Sequence, residues 1–319
     1  MSSKPADNRP PTMSSTAAVV SSTPGRLALW WRATRPYSLT ASVTPVVAGT
    51  AAAARDGHFD PLIFLAALGG AVAIQAGTNM VNDYYDFARG VDTGASVGPG
   101  GLIQHGLLAP GAVLAGGLAL FAAGSALGLC LVAVAGWPVL VAGILSVLAG
   151  YAYTGGPLPL GYIGLGDLVV FIFMGPVIVL GAYFVQVRAL GAGAWWVSLP
   201  MAALVTAVLV VNNLRDLDAD GRSGKRTFAT LIGERATRAE YIALVAAAYA
   251  AIAAAVVFRG LPPLALAGLL TAPAAAALCR RVGRDADPVV LTEALRGTAR
   301  LHQRTGLLIA AALLLPGPR

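Results

Sequence analysis

Two polar clusters hold the residues in this chain best suited to chemistry. The first is Asn79-Met80-Val81-Asn82-Asp83-Tyr84-Tyr85-Asp86-Phe87-Ala88-Arg89-Gly90-Val91-Asp92, which follows a run from Pro61 to Ala76 that carries no charge. On a helix, steps of three and four residues bring Gln75, Asn79, Asp83 and Asp86 onto one stripe, with Asn82 at its edge. The second is Asn212-Asn213-Leu214-Arg215-Asp216-Leu217-Asp218-Ala219-Asp220, followed by Gly224-Lys225-Arg226-Thr227, with Asp216 and Asp220 one helical turn apart. Carboxylates at a membrane edge are costly to desolvate and persist where a cation, water or a function compensates them. Oxygen-rich sets of this kind suit Mg²⁺, which takes one or two protein carboxylates and completes its shell with water and phosphate. Asn82, Asp86, Asp216 and Asp220 fit that role. The cations Arg215, Lys225 and Arg226 would neutralise charge developing on a departing diphosphate. The glycine-rich strings at 98–101 and 221–224 do not match a phosphate-binding loop and read as turns beside the site.

The elements that must position these clusters are membrane spans. Of the 319 residues, 57% are hydrophobic and only 12% charged, against about 25% charged in soluble domains. Apolar windows predict nine spans, near 37–54, 61–85, 110–134, 136–153, 165–187, 194–212, 239–258, 261–279 and 299–316. The expected fold is therefore an all-α bundle of nine transmembrane helices around a central cavity that opens to the cytoplasmic side. Residues 1–24, rich in Ser, Thr, Pro and Ala, read as a disordered tail, and 25–319 as one membrane-embedded domain. With the N-terminus cytoplasmic, 18 of the 22 Lys and Arg fall on that side, the other four being Arg55, Arg188, Arg259 and Arg319. Both clusters then share the cytoplasmic face of the cell membrane. The net charge of +7 is read as contact with the anionic head groups of the lipid bilayer, and nucleic acid is not expected as a partner. Cys130 and Cys279 lie in apolar runs and read as packing residues. The segment Arg280 to Arg300 mixes basic and acidic residues with Pro288 and reads as a solvated loop first, and as a short surface helix second.

Four segments carry a resemblance. Asn82-Asp83-Tyr84-Tyr85-Asp86 with Gly90 and Asp92, Tyr153-Thr154-Gly155-Gly156-Pro157, Gly164-Leu165-Gly166-Asp167, and the second cluster through Thr227 occur in the order of the UbiA-type intramembrane prenyltransferases. Within that family the chain is most similar to the branch acting on 1,4-dihydroxy-2-naphthoate in menaquinone biosynthesis. Many members place an acid where this chain has Gly90, and here Asp92 follows two residues later, an arrangement the branch tolerates; Asp167 stands where many of its members carry Glu. The resemblance implies Mg²⁺-dependent transfer of a polyprenyl group from polyprenyl diphosphate to the ring, with loss of CO2, giving demethylmenaquinone. It implies metal ligation by Asn82, Asp83, Asp86, Asp92, Asp216 and Asp220. Diphosphate contacts would come from Asn79, Arg89, Arg215, Lys225 and Arg226, and catalytic roles would fall to Asp86, Asp216, Asp220 and Tyr153. Two other readings stay open on the residues alone: the same chemistry on another aromatic acceptor, and an ion-coupled transporter, whose intramembrane acids also bind cations.

Overall fold

Proline and aspartate set the starts of two of the long helices. Asp60 accepts from the amides of Leu62 and Ile63, with Pro61 at the first helical position, and Asp287 with Pro288 repeats the device through Val289. The computed structural model describes residues 25–91 and 101–315; the expected N-terminal tail and Asp92 lie outside the described residues. In order, the helices are α1 (Arg26–Ala33), α2 (Thr40–Arg55), α3 (Pro61–Ala88), α4 (Pro110–Ala135), α5 (Trp137–Ala152), α6 (Gly166–Ile172), α7 (Ile178–Val187), α8 (Ala192–Arg215), α9 (Leu217–Ser223), α10 (Phe228–Ile232), α11 (Glu234–Val257), α12 (Ala272–Arg284) and α13 (Pro288–Leu314). A 3-10 turn at Pro36–Leu39 precedes α2, and a longer one at Pro263–Thr271 precedes α12. Among the described residues the regular structure is helical, apart from one isolated bridge between Ile163 and Arg226.

Among the described residues, six stretches are long and apolar enough to cross a membrane: 61–88, 110–135, 166–187, 192–215, 234–257 and 263–284. The remaining three expected spans coincide with α2 and α5, of 16 residues each, and with α13, which carries Glu293, Arg296, Arg300 and Arg304. The helix at 166–187 passes through a π-turn at Phe173–Val177, where Pro176 removes an amide donor from the ladder. There Gly175 lies so close to α8 that a β-carbon would stand 2.2 Å from that of Ala202. α8 is the central helix, with 72% of its most apolar window buried against α2, α6, α11 and α13. α3 and α4 approach through glycines: a β-carbon on Gly77 would meet the Gly117 carbonyl at 2.9 Å, and one on Gly124 the Gly70 carbonyl at 3.1 Å. Small residues permit such contact where lipid supplies no hydrophobic drive.

One expectation is corrected. Arg280–Arg300 is not mainly a solvated loop; the second reading, a helix, is nearer, the segment being the end of α12, a short link at 285–287 and the start of α13. The segment is amphipathic, burying Leu291, Ala294, Leu295 and Thr298 at helical spacing while Glu293, Arg296 and Arg300 face outward.

Candidate active site

α3 delivers its polar stripe to one end of the bundle. Asn79 donates from its amide to the Thr34 carbonyl and to Ser38 Oγ, both at 2.9 Å, and so ties the segment before α2 onto α3. Asp83, 6% exposed, is held in an ion pair by Arg35. Asp86 accepts from the Tyr162 hydroxyl. Asn82 keeps a buried Oδ1 with no hydrogen-bond partner. Arg89 caps this end from outside: it donates to the carbonyls of Thr154 and Gly156 and lies over the rings of Tyr85 and Tyr162, 5.3 and 4.9 Å from their centroids.

The second cluster forms where α8 breaks. Arg215 closes the helix and forks back onto both oxygens of Asp216, with Nε to Oδ1 at 2.8 Å, and reaches Asn212 Oδ1 at 3.0 Å. Asp216 then starts α9, whose first turn carries Asp220; its amide donates to the Asp216 carbonyl at 2.8 Å. Gly224, with φ of +77°, takes the left-handed conformation that ends α9 and returns Lys225 to Asp220. Lys225 Nζ stands 3.5 Å from Asp220 Oδ1 and 5.1 Å above the Tyr162 ring. Asp220 is 3% exposed and its Oδ2 has no partner. Burial pushes its carboxyl up to about 6, with the charge of Lys225 opposing and that of Asp216 adding.

Tyr162 joins the two ends. The amide of Arg226 donates to the Tyr162 carbonyl at 3.2 Å beside the Ile163–Arg226 bridge, so the loop after α5 is pinned to the loop after α9. Burial, and then the neighbouring Asp86 carboxylate, hold the Tyr162 phenol well above its usual range, so it stays a donor. Sequence reasoning gave this tyrosine no role.

A cavity of about 1080 Å³ opens between the clusters. Of the residues singled out in the sequence, Asn79, Asn82, Asp86, Tyr153, Arg215, Asp216, Asp220 and Lys225 line it. Asp83 and Arg89 do not, being engaged as described, and the side chain of Arg226 is exposed and also off the wall. Arg35, Asn212, Asp218 and Arg222, to which sequence reasoning gave no role in the site, are on it. Beyond this polar end the wall turns apolar, with Ile74, Leu131, Val139, Phe173, Leu180 and Trp195. Among the described residues no three His, Cys, Asp or Glu side chains form a ready metal cluster. The donor set nevertheless fits Mg²⁺, because Asn82 Oδ1 and Asp220 Oδ2 are buried oxygen acceptors without partners and Mg²⁺ needs few protein ligands.

Residues 42–296 match the UbiA prenyltransferase family. The chain belongs to that family. Its relatives include proteins named 1,4-dihydroxy-2-naphthoate octaprenyltransferase: in Bacillus subtilis, 35% identical over 89% of this chain and 92% of the relative, and in Mycobacterium tuberculosis, 37% identical over 90% and 97%. The Escherichia coli protein of the same name is 33% identical over 91% and 96%. The fold is that of two archaeal family members. A UbiA homologue from Aeropyrum pernix aligns with a TM-score of 0.65 at 17% identity, over 86% of this chain and 96% of that one. One from Archaeoglobus fulgidus, bound to GPP and Mg²⁺, aligns at 0.60 and 14%, over 89% and 99%. With six apolar stretches among the described residues long enough to cross a membrane, the chain is a multi-pass membrane protein of the UbiA fold.

Proposed function

We propose that this chain transfers a polyprenyl group from its diphosphate to 1,4-dihydroxy-2-naphthoate, with loss of CO2, to give the demethylmenaquinone skeleton. The observation that carries the reading is a single cavity joining two acidic helix ends to a long apolar limb, the shape required by a donor with an anionic head and a hydrocarbon tail. The names of the bacterial relatives support the choice of acceptor.

Asn82, Asp86, Asp216 and Asp220 would hold Mg²⁺ with the diphosphate, and the bound ion would supply charge stabilisation to the leaving group. Lys225 stands ready to move from Asp220 onto the diphosphate, and Arg222 borders the same space. Arg215 must release Asp216 for that carboxylate to act, and Asn212 remains to hold the guanidinium. Tyr162 fixes Asp86 by donating to it. The allylic C–O bond breaks, the diphosphate takes the electron pair, and a ring carbon of the acceptor bonds to the allylic carbon. The ring carboxylate then leaves as CO2, and the electrons of its C–C bond restore the aromatic ring. No protein nucleophile takes part. The apolar wall excludes the water that would otherwise capture the allylic cation.

The same reading places the protein in the cell membrane as one domain, 25–319, with nine crossings, a cytoplasmic N-terminus and a cavity mouth on the cytoplasmic side, supported by the bias of 18 of 22 basic residues. A cysteine introduced at Arg188 should label from outside intact cells and one at Gly221 should not; the reverse would overturn the orientation. The activity is tested with purified protein, radiolabelled polyprenyl diphosphate and a set of acceptors. Prenylated naphthoquinol is expected with Mg²⁺ and none after chelation. Transfer only to another phenol would replace the acceptor, and transfer to none would overturn the reading.

A further inference from the structure

The cavity continues well past the space that a diphosphate and a naphthalene ring occupy. α5 borders it with Val139, Ala142, Gly143, Ser146, Ala149 and Gly150, one helical face built almost wholly of small residues. The glycines on the cavity wall are not equivalent. At Gly124 and Gly150 an added β-carbon would stand 2.9 Å from Ile74 Cγ1 and 2.5 Å from Thr78 Oγ1, so helix packing accounts for both. At Gly143, Gly181 and Gly128 it would meet nothing within 4 Å, although all three line the cavity. Helix packing does not account for these three, which sit inside α5, α7 and α4, where Gly is a poorer helix former than Ala.

At 1.5 Å of rise per residue, Gly181 is about 22 Å from Gly166 at the polar end, and Gly143, seven residues before the Gly150 that packs on Thr78, is level with Ala71, about 22 Å along α3 from Asp86. The antiparallel contacts of Gly117 with Gly77 and of Gly124 with Gly70 put Gly128 level with Ala66, about 30 Å along α3 from Asp86. At the head of the same cavity stands Asp220, 97% buried by its exposure of 3%, with an unpartnered Oδ2. A ligand whose head is held there runs its tail past the three glycines.

We propose that Gly143, Gly181 and Gly128, with Gly143 nearer the head than Gly128, determine the length of prenyl chain the cavity admits. This rests on the donor assignment made above. A branched side chain at each position narrows the limb beyond the head and leaves the head untouched. The test compares Gly143→Leu, Gly181→Leu and Gly128→Leu with the unaltered protein, using all-trans diphosphates of two, four and eight isoprene units and naphthoate as acceptor. All three variants should turn over the two-unit donor at the unaltered rate, which also reports folding. Gly143→Leu should disfavour the four- and eight-unit donors, whereas Gly181→Leu and Gly128→Leu should disfavour the eight-unit donor alone. The expected fall in the long-to-short rate ratio for Gly143→Leu is at least about tenfold, the scale on which apolar pockets sense added carbon. Equal losses for all donors, or none, would overturn the proposal. If a Leu variant fails to fold, Gly143→Ala decides: a lowered ratio supports the proposal and an unchanged one overturns it. Failure of the unaltered protein to transfer any prenyl chain would instead overturn the donor assignment.

Discussion

The acidic ends of α3 and α8 start from similar sequence and reach different states. α3 runs unbroken through Asp83 and Asp86, and both acids are engaged by groups from other parts of the fold, Arg35 and Tyr162. α8 stops at Arg215, the chain bends at Asp216, and Asp220 on the short α9 keeps a buried oxygen without a partner. A continuous helix fixes its side chains to the bundle. A break at the single residue Asp216 sets the short α9, and the acids at its start, apart from the long helix before it. The α3 end thus acts as a fixed jaw and the α8 end as an adjustable one, in which Arg215 and Lys225 occupy carboxylate oxygens that a bound metal and diphosphate would claim.

The largest expected effect comes from the acids that face the cavity. Asp220→Asn, Asp216→Asn and Asp86→Asn each keep side-chain volume and remove charge. Each should lower the rate of transfer by at least about a hundredfold, the scale of losing a preorganised charge contact to the leaving group. Unfolding temperatures should stay close to that of the unaltered protein. An Asp220→Asn variant with normal turnover would remove the adjustable jaw from the site.

Asp83 sharpens the comparison from the other side, because it belongs to the acidic stripe and lies off the cavity wall. Removing one partner of a buried ion pair leaves the other charge stranded, typically at about 3 kcal/mol or more. Asp83→Asn should therefore lower stability, measured by thermal unfolding in detergent, while activity per folded molecule stays within about threefold of normal, a loss of less than one decade in rate. A rate loss as large as that of Asp86→Asn, without loss of stability, would place Asp83 among the working acids.

Lys225 and Arg226 come next. In sequence they read as a pair; in the structure Lys225 borders the cavity and Arg226 is exposed, its backbone serving the bridge to Ile163. Lys225→Ala should raise KM for the donor about tenfold, in keeping with loss of a charge-assisted phosphate contact, with Arg226→Ala within about twofold of normal. Equal effects would mean that the loop closes on the donor and brings Arg226 in.

The clusters were legible because carboxylates flanked by apolar runs demand a reason, and helical spacing alone put Asn79, Asp83 and Asp86 on one stripe. What the α3 acids touch was not legible, since Arg35 and Tyr162 reach them only through tertiary contacts, and Lys225 meets Asp220 through the local turn at Gly224. Arg89 and Arg215 show why charge alone misleads: a guanidinium has five donors, and here those of Arg89 serve the carbonyls of Thr154 and Gly156 and those of Arg215 serve Asn212 and Asp216. The start of α13 was ranked below a solvated loop for a related reason. Its charges read as solvation, when their spacing makes them the outer face of an amphipathic helix.

The smallest expected effect is one of pH, and it belongs to the adjustable jaw. In the metal-free protein, burial holds the Asp220 carboxyl up to about 6, Lys225 only partly offsetting the cost. Below that pH the group is protonated, and Mg²⁺ must displace the proton to bind. Above it the carboxylate is already formed and no proton is released there. The Mg²⁺ concentration for half-maximal activity should accordingly be nearly flat above about pH 7 and rise below about 6, approaching about tenfold per pH unit for one displaced proton. In Asp220→Asn the residual activity should need more Mg²⁺ at every pH and lose that rise, because the titrating group is gone. Lys225→Ala should shift the rise to higher pH, since the cation that favours the carboxylate has been removed. A rise that survives unchanged in Asp220→Asn would assign the proton to another group on the wall and leave α9 without its part in holding the metal.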